Sequence, residues 1–346
     1  MTNVTIGMDL GDKNHEVCVL DQEGNVIDRF TVGNTRRQLP KAFQKYTGAV
    51  VAIEAGTHSP WISRDLEAMG CKVLVGNPRK LRVIWARSQK TDVKDAEMLA
   101  RIARFDRQLL HPIRHRSEKA QIDLEEIKAR DMLVRVRTDL INHVRGTVKS
   151  IGERLPSCGA DAFHKRASLS LPDALRHALM PLVEQIASLT KQIRAYDRQI
   201  ERLAQEVYPE TNCLRQIKGV GLLTSLAFVL TLESPDHFDK SRAVGPYLGL
   251  TPRKDQSGES DKQLRISKEG DVYLRRLLVS CSQYILGRFG QDSDLRRFGE
   301  RLMGRGGRVA KRKAVVAVAR KLAVLLHRLW STGEVYQPFY HSQQVA

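Results

Sequence analysis

Four acidic residues, Asp9, Glu54, Asp92 and Asp95, stand at positions where a small α/β domain would bring their carboxylates together. Asp9 and Glu54 each follow a short apolar run that predicts a buried strand. Asp92 and Asp95 lie in a helical pattern at a spacing that puts both on one face of the predicted helix. Crowded carboxylates repel one another unless cations lie between them, and Mg²⁺ or Mn²⁺ prefers oxygen ligands. The four acids therefore predict a metal-dependent phosphodiester site, in which two ions about 4 Å apart stabilise the attacking and leaving oxygens.

The helical pair has a simpler interpretation. Solvated helices often have Asp at this spacing with no metal nearby, so Asp92 and Asp95 alone decide nothing. The turn after a strand is a common place for Asp but a less common one for Glu. Glu54, together with Asp9, therefore favours the site over the simpler interpretation.

Charge is unevenly distributed along the 346 residues. The chain has 57 Lys and Arg against 39 Asp and Glu, a formal net charge of +18, which indicates a polyanionic partner. Residues 1–60 have six basic and seven acidic residues, whereas 301–330 have nine basic residues and no acid. The second stretch predicts a nucleic-acid-binding segment, and the alternative is a solvated helix end that only aids solubility. Its central basic residues are Arg305, Arg308, Lys311, Arg312 and Lys313.

Cysteine usage and hydropathy exclude other classes. The five cysteines form no CxxC pair, which argues against a structural zinc site or a disulfide framework and favours a reducing compartment. Strand-like residues begin at the N-terminus and no window of about 18 apolar residues exists, so we expect neither a signal peptide nor a membrane span. A basic protein bound at a membrane surface is the remaining alternative.

The N-terminal part of the chain alternates strands with helices. Three strands come first, with a hairpin loop at residues 21–25 between the second and the third. The elements that follow are helix, strand, helix, strand and helix, at about residues 35–46, 49–53, 61–69, 72–75 and 92–102. This order, β-β-β-α-β-α-β-α, is that of the ribonuclease H-like fold, and it predicts an α/β catalytic domain over residues 1–116.

Residues 117–210 are predicted to form a helical arm. A first helix spans about 117–151, and a Pro- and Gly-containing interruption separates it from a second helix that ends at Pro209. Apolar residues of the second helix follow a heptad seam, which predicts a coiled coil. The seam consists of Leu182, Ile186, Leu189, Ile193, Tyr196, Ile200, Leu203 and Val207. Its partner is either the preceding helix or a second protomer.

Residues 211–346 are predicted to form a third, mainly α-helical domain. Gly219 and Gly221 favour a helix-hairpin-helix turn whose N–H groups contact a DNA phosphate, with a plain tight turn as the alternative. Small and polar residues at 255–262 predict an exposed, flexible loop around Ser257. The basic residues that flank this loop are Arg253, Lys254, Arg265 and Lys268. They are placed to neutralise a phosphate under attack, or alternatively to make ordinary contacts to a phosphate backbone.

These motifs, taken in order, resemble the DEDD transposases of insertion-sequence family 110. The matching stretches are Met8 to Gly11, Ile53-Glu54, Lys90 to Ala96, Ile217 to Gly221, Leu248 to Pro252, Ser257-Gly258 and Ile266 to Gly270. The resemblance implies an N-terminal domain similar to the RuvC resolvase and a C-terminal transposase domain with a nucleophilic serine. It assigns the Mg²⁺-binding acids to Asp9, Glu54, Asp92 and Asp95, and the serine to Ser257.

The same resemblance implies the partners. Members recombine target and donor DNA under the direction of a structured noncoding RNA, called a bridge or seeker RNA. They act as homodimers or homotetramers, in which the acids of one protomer meet the serine of another. We therefore expect a bacterial, cytoplasmic protein associated with the nucleoid.

Other functions stay open at this point. Ser260 and Ser267 compete with Ser257 as the nucleophile. A Holliday-junction resolvase-like nuclease would use the acids and water, with Ser257 only shaping a loop. A non-catalytic RNA- or DNA-binding protein on a ribonuclease H-like scaffold is a third possibility. A serine nucleophile favours recombination, because a phosphoserine linkage retains the energy of the broken bond and water would not.

Overall fold

Residues 1–118 form the first of two compact units. The computed structural model describes residues 4–81, 91–258 and 260–340, so Lys90 and Glu259 lie outside the described part of the chain. The strands of this unit are β1 (Thr5–Leu10), β2 (Asn14–Leu20), β3 (Val26–Gly33), β4 (Val50–Glu54) and β5 (Lys72–Gly76). Its helices are α1 (Gln38–Phe43), α2 (Ser59–Ala68), α3 (Pro78–Leu81) and α4 (Asp92–Phe105).

The five strands form one mixed sheet in the order β3-β2-β1-β4-β5. β1, β2 and β3 pair antiparallel through short connections, whereas β4 pairs parallel with β1 and with β5. A parallel pair needs a crossover connection, which α2 provides between β4 and β5. The predicted alternation of strands and helices is confirmed, and the sheet is compatible with a ribonuclease H-like fold.

The two faces of this sheet bury different side chains, because strand residues alternate between the faces. On one face Ile6, Met8, Val51 and Ile53 pack into a core with α1 and α2. On the other face Ala52 packs against α4. Gly7 of β1 and Ala52 of β4 face α4. Every second residue along each strand, counted from these two, therefore faces α4 as well.

Residues 119–346 form the second unit, which is mostly helical. Its helices are α5 (Glu118–Ser150), α6 (Phe163–Ser170), α7 (Asp173–Glu206), α8 (Thr211–Leu214), α9 (Leu222–Leu232), α10 (Val244–Tyr247), α11 (Val272–Leu286), α12 (Asp294–Met303) and α13 (Gly307–Thr332). Within the described ranges, no helix has both the length and the apolar character that crossing a bilayer requires. The predicted limits of the three domains stay predictions.

The apolar seam of α7 packs against α5 of the same chain. Arg130 pairs with Asp197, and Arg137 donates to the Thr190 hydroxyl at 3.3 Å, so the two helices run antiparallel. Four seam residues are at most 4% exposed: Ile186, Leu189, Ile193 and Ile200. Val207 lies beyond the end of α7 and is 42% exposed, so the seam is shorter than predicted. Coiled-coil packing of this pair stays a prediction.

The prediction of a loop at residues 255–262 is wrong, because residues 255–257 and 260–262 lie in the two strands of a hairpin. Its strands are β6 (Pro252–Ser257) and β7 (Ser260–Ile266), which pair antiparallel. Every residue from 252 to 258 is exposed, as predicted. Polar residues follow one another along β6, so the apolar alternation that indicates a strand is missing.

Candidate active site

Asp9 and Glu54 lie side by side near the ends of two neighbouring strands: Glu54 is the last residue of β4, and Asp9 is the last but one of β1. The parallel strands β1 and β4 are in register up to the pair Met8 and Ile53, and the next residue on each strand is one of the two acids. Glu54 lies two positions after Ala52, so it faces α4. Aligned residues of parallel strands project to the same side, so Asp9 faces α4 as well. Both acids are half-buried.

The direction of α4 brings its first turn to the same end of the sheet. Arg104 donates two hydrogen bonds to the Gln22 carbonyl, from Nε at 3.1 Å and from Nη2 at 2.6 Å. Arg101 donates to the carbonyl of Gly24 at 3.3 Å. Both carbonyls lie in the turn between β2 and β3, next to the start of β1. Because α4 ends there, it runs antiparallel to β1 and begins near Asp9.

Gly7 lets α4 lie directly on the sheet. A Cβ atom at this position would lie 2.0 Å from the carbonyl oxygen of Ala96 and 2.4 Å from the backbone nitrogen of Ala100. Both atoms belong to the helix backbone and have no side-chain freedom with which to move away. Only glycine permits this approach, and the contact fixes the distance of α4 from the strand that contains Asp9.

The remaining two predicted acids are in the first turn of α4. The hydroxyl of Thr91 caps the helix by accepting from the backbone N–H of Lys94 at 3.4 Å. Asp95 is only 8% exposed, whereas Asp92 is exposed. Carboxylates at a helix N-terminus also stabilise the helix dipole, so this placement has a structural benefit apart from any catalysis.

The four carboxylates suit a hard divalent cation in chemistry and in location. They supply only oxygen ligands, and the elements that contain them, the ends of β1 and β4 and the first turn of α4, lie at the same end of one sheet face. Their side chains are not gathered around one point: among residues 4–81, 91–258 and 260–340, no group of three or more His, Cys, Asp or Glu is arranged to hold a metal ion. Asp9, Glu54 and Asp95 each interact with another polar or charged group.

A fifth carboxylate that the sequence analysis missed lies beside Asp9. Glu16 of β2 is directly opposite Asp9 in the antiparallel β1–β2 pair, and directly opposed residues share a face. Its Oε1 accepts from the Thr31 hydroxyl at 2.9 Å. The register of the first hairpin is the signal that would have found it. Glu97 of α4 is not counted among the candidate metal ligands, because its carboxylate is already bound by two arginines. Arg101 and then Arg29 bind it and lower its pKa.

Ser257 lies at the tip of the β6–β7 hairpin in the second unit. It is exposed and pairs with Ser260 across a turn in which Gly258 has a φ of 54°. Alternation along β6 puts Asp255 on the same face as Ser257 and Lys254 on the opposite face. Ser267 differs from Ser257, because it is half-buried at the base of the hairpin and its Oγ accepts from the Glu269 N–H at 3.4 Å.

The base of the hairpin is fixed by a buried arginine. Arg275 of α11 is 8% exposed, and its Nη1 donates to the carbonyls of Leu248 at 2.9 Å and Glu269 at 2.7 Å. These carbonyls lie on the two chain segments that enter and leave the hairpin. Gly249, with a φ of 65°, allows the segments to touch, since a Cβ there would lie 2.2 Å from the Glu269 carbonyl oxygen. The hairpin therefore projects from an ordered base.

The other predicted basic residues are also exposed. Arg253, Lys254, Arg265 and Lys268 belong to the hairpin or its base. The C-terminal group lies just before and within the first turns of α13: Arg305, Arg308, Lys311, Arg312 and Lys313. Cations at a helix N-terminus raise the free energy of the folded state. Fold stability therefore does not account for this placement.

Comparisons with known proteins cover both units. A model of DEDD-type IS110 transposases matches residues 6–153. A second model, described as transposase IS116/IS110/IS902 family, matches residues 211–298, which include Ser257. The chain belongs to the IS110 family of transposases. It is therefore an enzyme that processes DNA and takes part in the movement of an insertion sequence.

Two relatives of this IS110-family transposase match it over almost the whole chain, and a third matches part of it. It is 27% identical to the transposase for insertion sequence element IS1111A of Coxiella burnetii. The match extends over 340 residues, which are 96% of this chain and 91% of that protein. It is 28% identical to the transposase for IS1328 of Yersinia enterocolitica, over 97% of this chain and 99% of that one. A pilin gene-inverting protein of Moraxella lacunata is 26% identical over 38% of this chain and 44% of its own length.

Proposed function

We propose that this transposase is an RNA-guided DNA recombinase that cuts and rejoins strands through Ser257 and an acidic site of Asp9, Glu54, Asp92 and Asp95. The main support is the position of Ser257. It lies at the exposed tip of a hairpin, and Arg275 holds the base of that hairpin by hydrogen bonds. A nuclease that uses water has no need for a serine held in this way. The ends of β1 and β4 and the start of α4 lie at the same end of the sheet, which supports the proposed role of the four acids.

The covalent step conserves bond energy. The Ser257 oxygen attacks the scissile phosphorus, a P–O bond to deoxyribose breaks, and the serine proton passes to a base while the leaving oxygen gains a proton. In the second step a hydroxyl of another strand attacks the same phosphorus and releases Ser257. One phosphodiester is exchanged for another, so no ATP is needed.

The charged residues would stabilise the phosphate during this exchange. Mg²⁺ or Mn²⁺ held by the four acids would supply a Lewis acid for the phosphate oxygens. Arg253 lies on the strand that ends in Ser257, whereas Arg265 and Lys268 lie at or near the base of the hairpin, so we expect these two to contact DNA next to the scissile phosphate. Lys254 projects from the opposite face of β6, so we expect it to contact flanking DNA rather than the scissile phosphate.

The partners belong to the same proposal. A structured noncoding RNA selects target and donor DNA by base pairing, since pairing in a separate molecule can carry sequence information that the protein need not read. The exposed basic start of α13 supports binding of such polyanions. The family resemblance implies a homodimer or homotetramer that combines the acids of one protomer with Ser257 of another, and the two sets lie in different units of the chain.

A covalent adduct tests the proposal. On a nicked suicide DNA substrate with guide RNA and Mg²⁺, the wild-type protein should form a protein–DNA adduct that survives a denaturing gel. Ser257→Ala should abolish this adduct, whereas Ser260→Ala and Ser267→Ala should keep it. An adduct that survives Ser257→Ala would assign the nucleophile to another residue.

The same experiment separates the alternatives. Cleavage without any adduct, unchanged in Ser257→Ala, would indicate a resolvase-like nuclease that uses water. Nucleic-acid binding with no cleavage under any condition would indicate a non-catalytic binding protein. Omission of the guide RNA tests RNA guidance separately, because an unguided recombinase would still form the adduct.

A further inference from the structure

A large groove in the second unit lies beside the base of the Ser257 hairpin. Its volume is about 2390 Å³, and it is lined by residues of the hairpin, α12 and α13. Twelve Lys or Arg side chains line it against two acids, Asp294 and Glu334. Both acids have partners, because Glu334 binds Arg328 at 3.1 Å and Asp294 interacts with another polar or charged group. The groove is therefore strongly positive.

The basic side chains follow the length of α13. Lys313 and Arg320 are seven residues apart, as are Lys321 and Arg328, and two helical turns bring each pair to one side of the helix. From Arg312 to Arg328 the line extends roughly 24 Å at 1.5 Å per residue. Arg301 adds a cation on α12. Regularly spaced cations over this length fit a phosphate backbone better than they fit a single small anion.

Apolar side chains lie between these cations. Leu302, Val309 and Val316 line the groove, and Val309 is 64% exposed. Phe298 also lines it, and the Lys321 ammonium lies 4.1 Å from the centre of its ring. Burial, and then the nearby Arg301, lower the pKa of Lys321. The groove thus offers an apolar surface together with charge, whereas a purely electrostatic DNA-binding face needs only charge.

We propose that this groove binds a single-stranded segment of DNA, next to the strand that Ser257 attacks. Single strands expose both phosphates and base faces, which suit a charged groove with an apolar surface, whereas a duplex hides its bases. Pro252, Arg265 and Lys268 of the hairpin form one wall. Five residue steps along β6, roughly 17 Å, separate this wall from Ser257, so the groove would hold DNA a few nucleotides from the scissile phosphate.

The choice of DNA over RNA rests on the proposed function of Ser257, whereas the preference for a single strand rests on the groove itself. The two are tested apart. Binding is measured with the full-length protein and needs no cleavage, so Ser257→Ala should bind as tightly as wild type. Failure of the serine proposal would appear in the adduct assay and would leave this binding unchanged.

The probes are a fluorescent 20-nucleotide oligo-dT, a duplex of the same length and oligo-U RNA, titrated by fluorescence anisotropy at several salt concentrations. Arg301→Gln combined with Arg320→Gln should weaken oligo-dT binding and lower the slope of log K against log salt by about 1.4, or about 0.7 for each phosphate of a single strand that the variant no longer neutralises. Val309→Ser should weaken binding of oligo-dT with no change in that slope. Arg198→Gln combined with Arg202→Gln, on α7, is the charge-matched control and should bind like wild type.

Three results would overturn the proposal. The first is an equal loss of duplex binding in both groove variants, which would indicate a general DNA surface. The second is a loss confined to oligo-U, which would assign the groove to RNA. The third is unchanged binding of all probes, which would leave an acidic amphipathic helix as the fitting occupant. If the first pair of substitutions lowers the melting temperature, Arg312→Gln with Lys313→Gln replaces it, because both side chains are exposed.

Discussion

Carboxylates in the first unit differ in what they touch. Asp28 accepts from the Tyr46 hydroxyl at 2.6 Å and from the Lys45 ammonium at 2.9 Å, and these hydrogen bonds lower its pKa. The Asp28 carboxylate therefore has a structural role, because it links β3 to the segment that contains Lys45 and Tyr46. Asp9 and Glu54 are instead at the ends of parallel strands, where open sheets commonly present functional side chains. Position in the sheet separates the two kinds of acid, whereas residue type does not.

Asp9→Asn should abolish DNA cleavage, because the amide keeps the shape of the side chain and removes the charge that a divalent cation needs. Guide-RNA binding should be unchanged. Gel-based cleavage assays and RNA titrations measure the two effects. Glu23→Gln, an exposed acid in the turn at the other end of the sheet, is the control and should cleave normally. Normal cleavage by Asp9→Asn, or full activity in excess EDTA, would exclude the metal site.

Arg275→Met should lower the free energy of unfolding by about 2 to 3 kcal/mol, because it leaves the carbonyls of Leu248 and Glu269 without their charged donor. Urea denaturation followed by circular dichroism measures the change. Arg276→Met is the neighbouring control. It removes an ion pair to Asp131 from a side chain that is 44% exposed, so its effect should stay below about 1 kcal/mol. Equal effects of the two variants would contradict a special role for Arg275 at the hairpin base.

At the scale of elements, the sequence predicted what depends on local pattern. The strands β1 and β4 contain short apolar runs, and the places of Asp9 and Glu54 near their ends follow from that pattern. The direction of α4 does not, since it depends on long-range contacts such as Arg104 with the Gln22 carbonyl. Glu16 was missed because its importance comes only from being opposite Asp9 in the sheet.

The second unit shows the same division. The α7 seam was visible as a heptad pattern, but its partner on α5 was not, because the pattern marks an apolar face and does not name what covers it. The β6–β7 hairpin was missed because every residue of β6 is exposed and polar residues follow one another along it. The groove along α13 was missed for a different reason: residues of the hairpin and of α12, distant in sequence, form its other walls.

Gly7→Ala should destabilise the first unit by about 3 kcal/mol or more, because the new methyl group would overlap backbone atoms of Ala96 and Ala100. We also expect loss of cleavage, since α4 would have to move away from the sheet. Thermal unfolding and the cleavage assay measure both effects. Gly56→Ala is the control, because a Cβ there meets nothing within 4 Å. A Gly7→Ala protein as stable as Gly56→Ala would contradict the close packing of α4 on β1.

At the scale of the whole molecule, the four candidate metal-binding acids and the most basic stretch of the chain lie in different units. The acids lie in residues 1–118, and the largest basic excess lies at 301–330, in the second unit. A formal charge of +18 would steer any polyanion toward the protein. Its concentration in one helix and one groove makes that attraction directional, so nucleic acid would be drawn first to the unit that contains Ser257.

Changing Arg305, Arg308 and Lys311 to Gln should weaken nucleic-acid binding, because each side chain that neutralises a phosphate releases counterions when it binds. The slope of log K against log salt should fall by about 0.7 to 0.9 for every phosphate that is no longer neutralised. Filter binding or anisotropy across a salt series measures the slope. Lys149, Arg154 and Arg202, exposed residues elsewhere in the second unit, form a charge-matched control set. If both triple variants lower the slope equally, net charge alone accounts for the affinity.

The hairpin also sets how this enzyme can be inactivated. β6 and β7 pair only with each other among the described strands, and exposed Arg253 and Lys254 precede Ser257. Trypsin-like proteases cut after such residues, and a single cut there would sever the segment that positions the serine while the helices beneath it remain folded. A nicked protein would still bind nucleic acid but could not rejoin it. How long the enzyme stays active would then depend on whether β6 remains uncut. DNA bound at the hairpin would shield this strand from proteases.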